Sequence, residues 1–376
     1  MVLEWLRLQD FRNIAAADLR FGSGLNLITG ANGQGKTNLL EAVGLLATGR
    51  SFRHVSAGVM RRQDRTLFRV VGGVQKGGLS HRLEFLGEEN RQVVRLDGKP
   101  MASVAVMERV LTAVIVTPET PMLVRGGPGE RRSFLDWLIF SATRRHGLEA
   151  REYQRALKAR NQLLKQSGRD AREMEAWEAH LAVLGARIAK RRQGTVAGLV
   201  RLLPHFLEAL DLRPERFDLA LSSQLEGVWS EERDGSEGAT IALRELLAAS
   251  RERDRRTGVT SVGPHRDDLL FRLEGRPLSR YGSRGQQKRF AFALKLAEAE
   301  LLEAALGEPP VMVLDDPAAE LDRDGMSRLM ALLSGQGRQL FLAARESGEI
   351  PWPNRPLVAC AVAAGVFQVT TEPKNS

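Results

Sequence analysis

Residues 30 to 37 read Gly30-Ala31-Asn32-Gly33-Gln34-Gly35-Lys36-Thr37, a G-x-x-x-x-G-K-T spacing. Glycines let backbone amides approach an anion, the lysine sets a compact cation on the β- and γ-phosphates, and the threonine hydroxyl suits Mg²⁺. The chemistry is nucleoside triphosphate binding, with these eight residues and Asn38 as the cradle. Far downstream, the apolar run Val311-Met-Val-Leu314 ends in Asp315 and Asp316. Asp315 is expected to hold Mg²⁺, and Asp316 to orient or deprotonate an attacking water. A third segment, Ser283-Arg-Gly285-Gln286-Gln287, opens a helical pattern reaching about Ala305. Ser283 suits a helix N-cap. Glycine within the first turn costs ~1 kcal/mol relative to alanine, which a closely approaching phosphate would explain.

The elements around these residues are those the chemistry needs. Leu25–Thr29 reads as a short buried strand running into the glycine loop, and Lys36–Ala47 as a helix with Leu39, Leu40, Val43 and Leu46 on one face. Strand, loop and helix in that order are the context a phosphate loop requires. Leu3–Leu8, Thr66–Val74, Leu79–Leu86 and Arg91–Leu96 alternate like strands, with a hairpin signal at Asp97-Gly98, and Val114–Val116 reads as another buried strand. From Glu130 to about Leu210 the pattern is helical. Trp177, Leu181, Leu184 and Ile188 form a packing seam, and Gly168 suggests the break of an antiparallel helix pair of modest length. Glu231–Gly238 reads as a charged loop, and strand-and-helix texture returns near Thr260. The expected organisation is an α/β ATPase head, discontinuous in sequence: residues 1–122, a basic helical lobe over 123–255, and a returning part over 256–376.

Composition narrows the class. With 376 residues, 43% hydrophobic and 27% charged, the chain has material for a full core. Its single cysteine, Cys360, excludes a disulfide framework and a cysteine-based zinc hook, and fits a reducing, cytoplasmic setting. Glu4, Arg7 and Asp10 interrupt any signal-peptide run. The uncharged stretch Leu357–Phe367 is 11 residues long, short of the ~20 a membrane helix needs. Ala364-Gly365 within it reads as a turn between two buried strands. Formal net charge is +9, and Arg125–Arg192 alone carries 16 Lys/Arg against 8 Asp/Glu. Such a surplus points to a polyanionic partner through counterion release, unless it reflects base composition of the gene. No segment reads as a recognition helix, so backbone contacts are expected.

Phosphate loop, S-x-G-Q-x segment and double aspartate together resemble an ABC-type ATPase head. In such heads the signature segment points away from its own phosphate loop and completes the site of another copy. ATP then joins a homodimer, and hydrolysis loosens it. Phe11-Arg12-Asn13, Asn32 to Ala42, Gly126 to Asp136, Gly263-Pro-His-Arg-Asp-Asp268 and Gly282 to Gln287 resemble the RecF family of bacterial recombination mediators, relatives of SMC heads. The resemblance runs from one end of the chain to the other. It implies ATP and Mg²⁺ as cofactors, binding to duplex or gapped DNA, slow DNA-stimulated hydrolysis, and work with RecR and RecO to load RecA in repair, replication and the SOS response.

The chain departs from the family pattern at Pro317-Ala-Ala-Glu320, and at Thr117-Pro-Glu119-Thr120, which lacks a second acid. At Ala343-Ala-Arg345-Glu346 no polar phosphate-facing residue can be assigned. His265–Asp268 reads as a structural hydrogen-bonding node rather than an acid–base cluster. Arg131 and Arg132 fit either DNA contact or a solvated helix face. The alternative function is the ATP-supplying subunit of a transporter, whose phosphate loop usually ends G-K-S-T, whereas Asn38 follows Thr37 here.

Overall fold

A computed structural model describes residues 1–89, 91–143, 146–166, 171–226, 236–335, 337–352 and 358–371. The chain divides into two compact units: Met1–Pro121 with His205–Leu212 and Arg284–Ser376, and Met122–Pro204 with Arg213–Ser283. Residues 256–283, which sequence texture joined to the returning head, therefore group with the helical unit. The reason is strand pairing and buried charge, described below.

In chain order the first unit contributes β1 (Val2–Phe11), β2 (Ile14–Arg20), β3 (Leu25–Thr29), β4 (Leu67–Lys76), β5 (Leu79–Glu88), β6 (Gln92–Leu96), β7 (Lys99–Met101) and β8 (Ala113–Val116). The second unit adds β9 (Phe217–Ser222), β10 (Asp268–Leu273) and β11 (Arg276–Pro277). The first unit resumes with β12 (Val311–Asp315), β13 (Leu340–Ala344), β14 (Val358–Ala363) and β15 (Val366–Thr371).

The first unit has two sheets. One is antiparallel, in order β2-β1-β4-β5-β6-β7; the other runs β15-β14-β3-β13-β12-β8. In the second sheet β14, β3, β13, β12 and β8 are parallel and β15 is antiparallel. The phosphate-loop helix, Lys36–Thr48, touches β12 and β13 on one side and β1, β4 and β5 on the other. It is consequently buried around most of its circumference, not along one face, as expected for a helix between two sheets. Leu39, Leu40, Val43 and Leu46 share a core with Leu6, Phe68, Phe85, Val311 and Phe341. Each such side chain contributes about 1.5–3 kcal/mol on burial. Gly49 ends the helix in left-handed backbone and donates its N–H to Leu45.

The second unit is built from helices Pro128–Ala142, His146–Leu164, Ala171–Ala209, Ser236–Ala249 and Arg251–Thr257, with the sheet β11-β10-β9. Leu181, Leu184 and Ile188 pack with Tyr153, Ala156 and Leu157, and Trp177 lies against them, so the seam is real. The long helix has 39 residues, more than a pair of modest length implies, with Pro204 inside it at the unit boundary. The Gly168 break falls outside the described residues, as does most of the charged loop; residues 236–238 open a helix instead.

The turn at Ala364-Gly365 joins β14 and β15 as expected. However, β15 is an edge strand whose Val366 and Val369 are exposed, not a buried one. Among the described residues no helix is long and apolar enough to cross a membrane.

Candidate nucleotide site and the charged hub of the helical unit

Parallel register decides which residues meet. Asp315 on β12 stands opposite Ala343 on β13, and Ala344 on β13 opposite Thr29 on β3. The carboxyl ends of the three strands thus share one sheet edge, the usual place for ligands in open α/β sheets. Gly30 N donates to the Arg345 carbonyl at 3.2 Å, and Asp316 N to the Ala343 carbonyl at 3.2 Å. The end of β13 and the residue after it therefore supply backbone acceptors, and none of the side chains from 343 to 346 lines the cleft.

The cleft has a volume of about 230 Å³ and is lined by Asn32, Gly33, Gly35, Lys36, Thr37, Asn38, Arg53, Pro118, Asp315 and Asp316. Gly35 sits at φ +124, backbone that L side chains rarely adopt, directly before the helix start. Buried Lys36 curls over the loop, its Nζ donating to the carbonyls of Gly30 at 2.5 Å and Ala31 at 3.1 Å. Thr37 Oγ1 donates to Asp315 Oδ1 at 2.9 Å. Burial raises the Asp315 carboxyl above the usual range, and the charges of Asp316 and Glu119 push the same way. The Thr37 hydroxyl and Arg53 pull against them. Asp316 occupies left-handed backbone at φ +49, a conformation that costs a non-glycine residue ~1 kcal/mol or more.

These residues fit a nucleotide's phosphates and a hard cation. Carboxylates converge where a hydroxyl already waits, and a divalent cation would relieve their repulsion. Among the described residues no cluster of three or more His, Cys, Asp or Glu could cage a metal. Mg²⁺ needs no such cage, since it commonly takes one or two protein oxygens plus phosphates and water.

Arg53 and Pro118 were not read from the sequence as cleft residues. Arg53 arrives on the segment after the phosphate-loop helix, where its Nη1 donates to Asn38 Oδ1 at 3.2 Å and lies 3.9 Å from Glu41. Glu41, fully buried, also accepts from Arg12 Nε and Nη2 at 2.9 and 2.7 Å and from Ser51 Oγ at 2.5 Å. No spacing rule links residue 53 to residue 36. Asn38 and the buried Glu41 carboxylate, both on the phosphate-loop helix, make the link. Exposed Glu119 sits on the turn Thr117–Thr120, held by Thr117 N donating to Thr120 Oγ1 at 2.8 Å.

Gly285 and Gln286 open the helix Arg284–Leu306 and do not line this cleft. Exposed Ser283, the residue before it, groups with the helical unit. One turn further on, Lys288 pairs with Glu320 at 3.0 Å and Arg289 with Asp322 at 2.8 Å. Asp322 also caps the helix Arg323–Ser334 by accepting from Gly325 N. That bond, with Arg289, holds its carboxyl below the usual range. The loop following the double aspartate is thereby tied to the signature helix of its own chain.

In the helical unit the basic residues divide into two populations. Arg131 forms a two-pronged pair with Asp268 at 2.7 and 2.9 Å, and Arg132 donates to the Asp267 carbonyl. Arg192 bridges Asp136, Asp267 and the Pro264 carbonyl. Arg160, fully buried, binds Glu178, Asp254, Thr260 and the Leu247 carbonyl. Tyr153 Oη and His265 Nδ1 are 2.8 Å apart, and His265 Nε2 is 3.0 Å from the Thr260 carbonyl. The 263–268 segment is therefore a structural hub, and half-buried Arg131 and Arg132 are tied to it through Asp268 and the Asp267 carbonyl. Three acids beyond Arg192, namely Asp254, Asp267 and Asp268, neutralise part of the local surplus. Arg125, Arg151, Arg155, Lys158, Lys165, Arg172, Arg187 and Lys190 face solvent, and Arg151, Arg155 and Lys158 among them form a stripe on helix His146–Leu164, at i, i+4 and i+7.

Fold and site together define an α/β P-loop head of the ABC and SMC kind with a central helical insertion. A family model described as an AAA domain matches residues 6–111. A DNA replication and repair protein RecF from Magnetococcus marinus is 49% identical over 99% of this chain and 98% of the relative. One from Geobacter sulfurreducens is 38% identical over 92% and 93%. A solved structure of the recombination mediator protein RecF-ATP in the RecFOR pathway superposes with a TM-score of 0.88, at 30% identity, covering 98% of this chain and 97% of that one. An Smc head bound to the C-winged helix domain of ScpA reaches 0.57 at 14% identity over 98% of each chain, a likeness of fold alone. The chain belongs to the RecF family.

Proposed function

We propose that the protein is an ATP-switched, DNA-binding recombination mediator whose hydrolysis resets a clamp rather than supplying a product. The Thr37–Asp315 bond carries this reading most, because it joins a phosphate loop to an acid-tipped strand at one sheet edge. In this reading the loop amides from Gly30 to Gly35 hold the phosphates, with Ala31, Asn32, Gln34 and Asn38 shaping the cradle. Lys36 leaves its carbonyl partners to neutralise the terminal phosphates. Thr37 and Asp315 hold Mg²⁺, which when bound screens the phosphate charge. Asp316 orients or deprotonates the attacking water.

Gly285 and Gln286 lie outside the chain's own cleft. That supports Ser283, Gly285 and Gln286 acting on the nucleotide of a second copy, in an ATP-dependent homodimer. The exposed stripe on helix His146–Leu164 supports DNA as the polyanionic partner, in duplex, gapped or junction form. Kinship with RecF proteins supports cooperation with RecR and RecO in loading RecA in the cytoplasm, and leaves the transporter-subunit alternative without support. The test is ATPase rate per protein against protein concentration, with and without gapped duplex. A rate climbing with concentration, and further with DNA, is expected at turnover far below the ~10 s⁻¹ typical of enzymes. A constant rate indifferent to DNA would overturn the shared-site reading.

A further inference from the structure

Gln34 belongs to the phosphate loop, yet its polar groups are engaged from outside the cleft. Its carbonyl accepts from Asn13 Nδ2 at 3.1 Å and from Gly365 N at 2.8 Å, while its Oε1 accepts from Ala364 N at 2.6 Å. Ala364 and Gly365 are the two-residue turn between β14 and β15, with φ of 50° and 78°. Turns with both central residues left-handed favour Asn or Gly at the first position, so Ala364 adopts this backbone against its own preference. Glycine is required at 365, where a Cβ would stand 2.5 Å from the Asn13 carbonyl oxygen. A Cβ at Gly30 would collide with the Val362 carbonyl of β14. Loop, β1–β2 turn and C-terminal hairpin are thus packed backbone to backbone. Asn13 extends the contact inward: its Oδ1 accepts from Asn38 Nδ2 at 2.8 Å, and Asn38 in turn accepts from cleft-lining Arg53.

We propose, on the reading that the cleft holds ATP, that Asn13 and the Ala364-Gly365 turn clamp the outer side of the phosphate loop, with Gln34 a positioning residue and not a nucleotide ligand. A loop with three glycines in eight residues has much backbone freedom to lose. Three hydrogen bonds converging on Gln34 fix it before any ligand arrives, and such preorganisation is read out as affinity. None of the three bonds is made to Asp315 or Asp316, so the clamp acts first on binding and less on the hydrolytic step.

The test uses the full chain and ATP itself. Equilibrium dissociation constants are measured by titration calorimetry for wild type, Asn13→Ala, Gln34→Ala, Gly365→Ala and Lys36→Ala, alongside thermal unfolding. Asn13→Ala and Gly365→Ala are expected to raise the Kd about tenfold or more. KM should rise in parallel and kcat stay within about twofold. The double variant Asn13→Ala/Gln34→Ala should lose less than the product of the single losses, because both act on one loop position. If Gly365→Ala does not fold, Asn13→Ala and Gln34→Ala still decide the matter. Wild-type Kd in both, with or without a lowered Tm, would overturn the clamp and leave the hairpin as scaffold. A wild type that binds ATP no better than Lys36→Ala would instead overturn the nucleotide reading on which the clamp depends.

Discussion

The hydroxyl of Thr37 donates to the carboxylate of Asp315 across 278 positions of sequence, at 2.9 Å. One residue opens a helix and the other closes a strand, and the bond exists because β3, β13 and β12 end in register at one edge. That bond ties the two motifs expected to share a cation.

Thr37→Val removes the donor at nearly constant volume. It is expected to weaken Mg²⁺-dependent ATP binding at least tenfold, equivalent to ~1.4 kcal/mol, with little change in Tm. Titration with ATP in the presence and absence of Mg²⁺ checks this. Equal affinity in both variants and both conditions would remove Thr37 from the cation site.

Asp316→Asn keeps the shape of a half-buried side chain at the cleft, and asparagine tolerates left-handed backbone. The expected outcome is retained ATP binding and retained dimerisation, with hydrolysis down by a factor of ~10² or more. Single-turnover assays separate these, and normal turnover would take Asp316 out of the chemistry.

The two arginine populations should respond differently. Changing Arg151, Arg155 and Lys158 to alanine together should flatten the salt dependence of DNA affinity by about 0.9 per cation in the log–log slope, and leave Tm nearly unchanged. Arg131→Ala should leave that slope alone and destabilise the protein by about 1–3 kcal/mol, because Asp268 loses its two-pronged partner. DNA titrations between 50 and 200 mM salt, with melts alongside, distinguish the cases. The opposite pattern would return DNA contact to Arg131.

Acid should weaken the hub around His265. Burial lowers the His265 imidazole from 6.5 to about 4, with Arg266 and Arg132 adding repulsion against the Thr260 carbonyl contact. The unfolded chain therefore binds the proton first. The stabilisation is complete above pH 6.5 and is lost as pH falls toward 4, about 2 kcal/mol of it by pH 5. Asp267, raised by burial, works in the other direction but only near the carboxylate range. Melts at pH 7.5, 6.5 and 5.0 should show a fall in Tm that His265→Asn flattens; an identical fall in that variant would assign the effect to other groups.

Much of the site was legible in the order of residue types. A glycine loop must sit between strand and helix, an apolar run ending in Asp315 and Asp316 must be a central strand, and Leu25–Thr29 matches β3 residue for residue. These are local matters of backbone freedom, side-chain volume and hydrophobic period, which a sequence carries in full. Tertiary structure decided the rest, because long-range pairing and shared burial have no sequence period. Sheet register put Asp315 beside Thr37, and Asn38 with buried Glu41 hold Arg53 at the cleft. A C-terminal hairpin came to rest on Gln34. Asp254, Asp267 and Asp268 cancelled arginines that, counted along the chain, looked free to meet DNA. Charge is a property of residues; its availability depends on which carboxylates the fold places within hydrogen-bond reach.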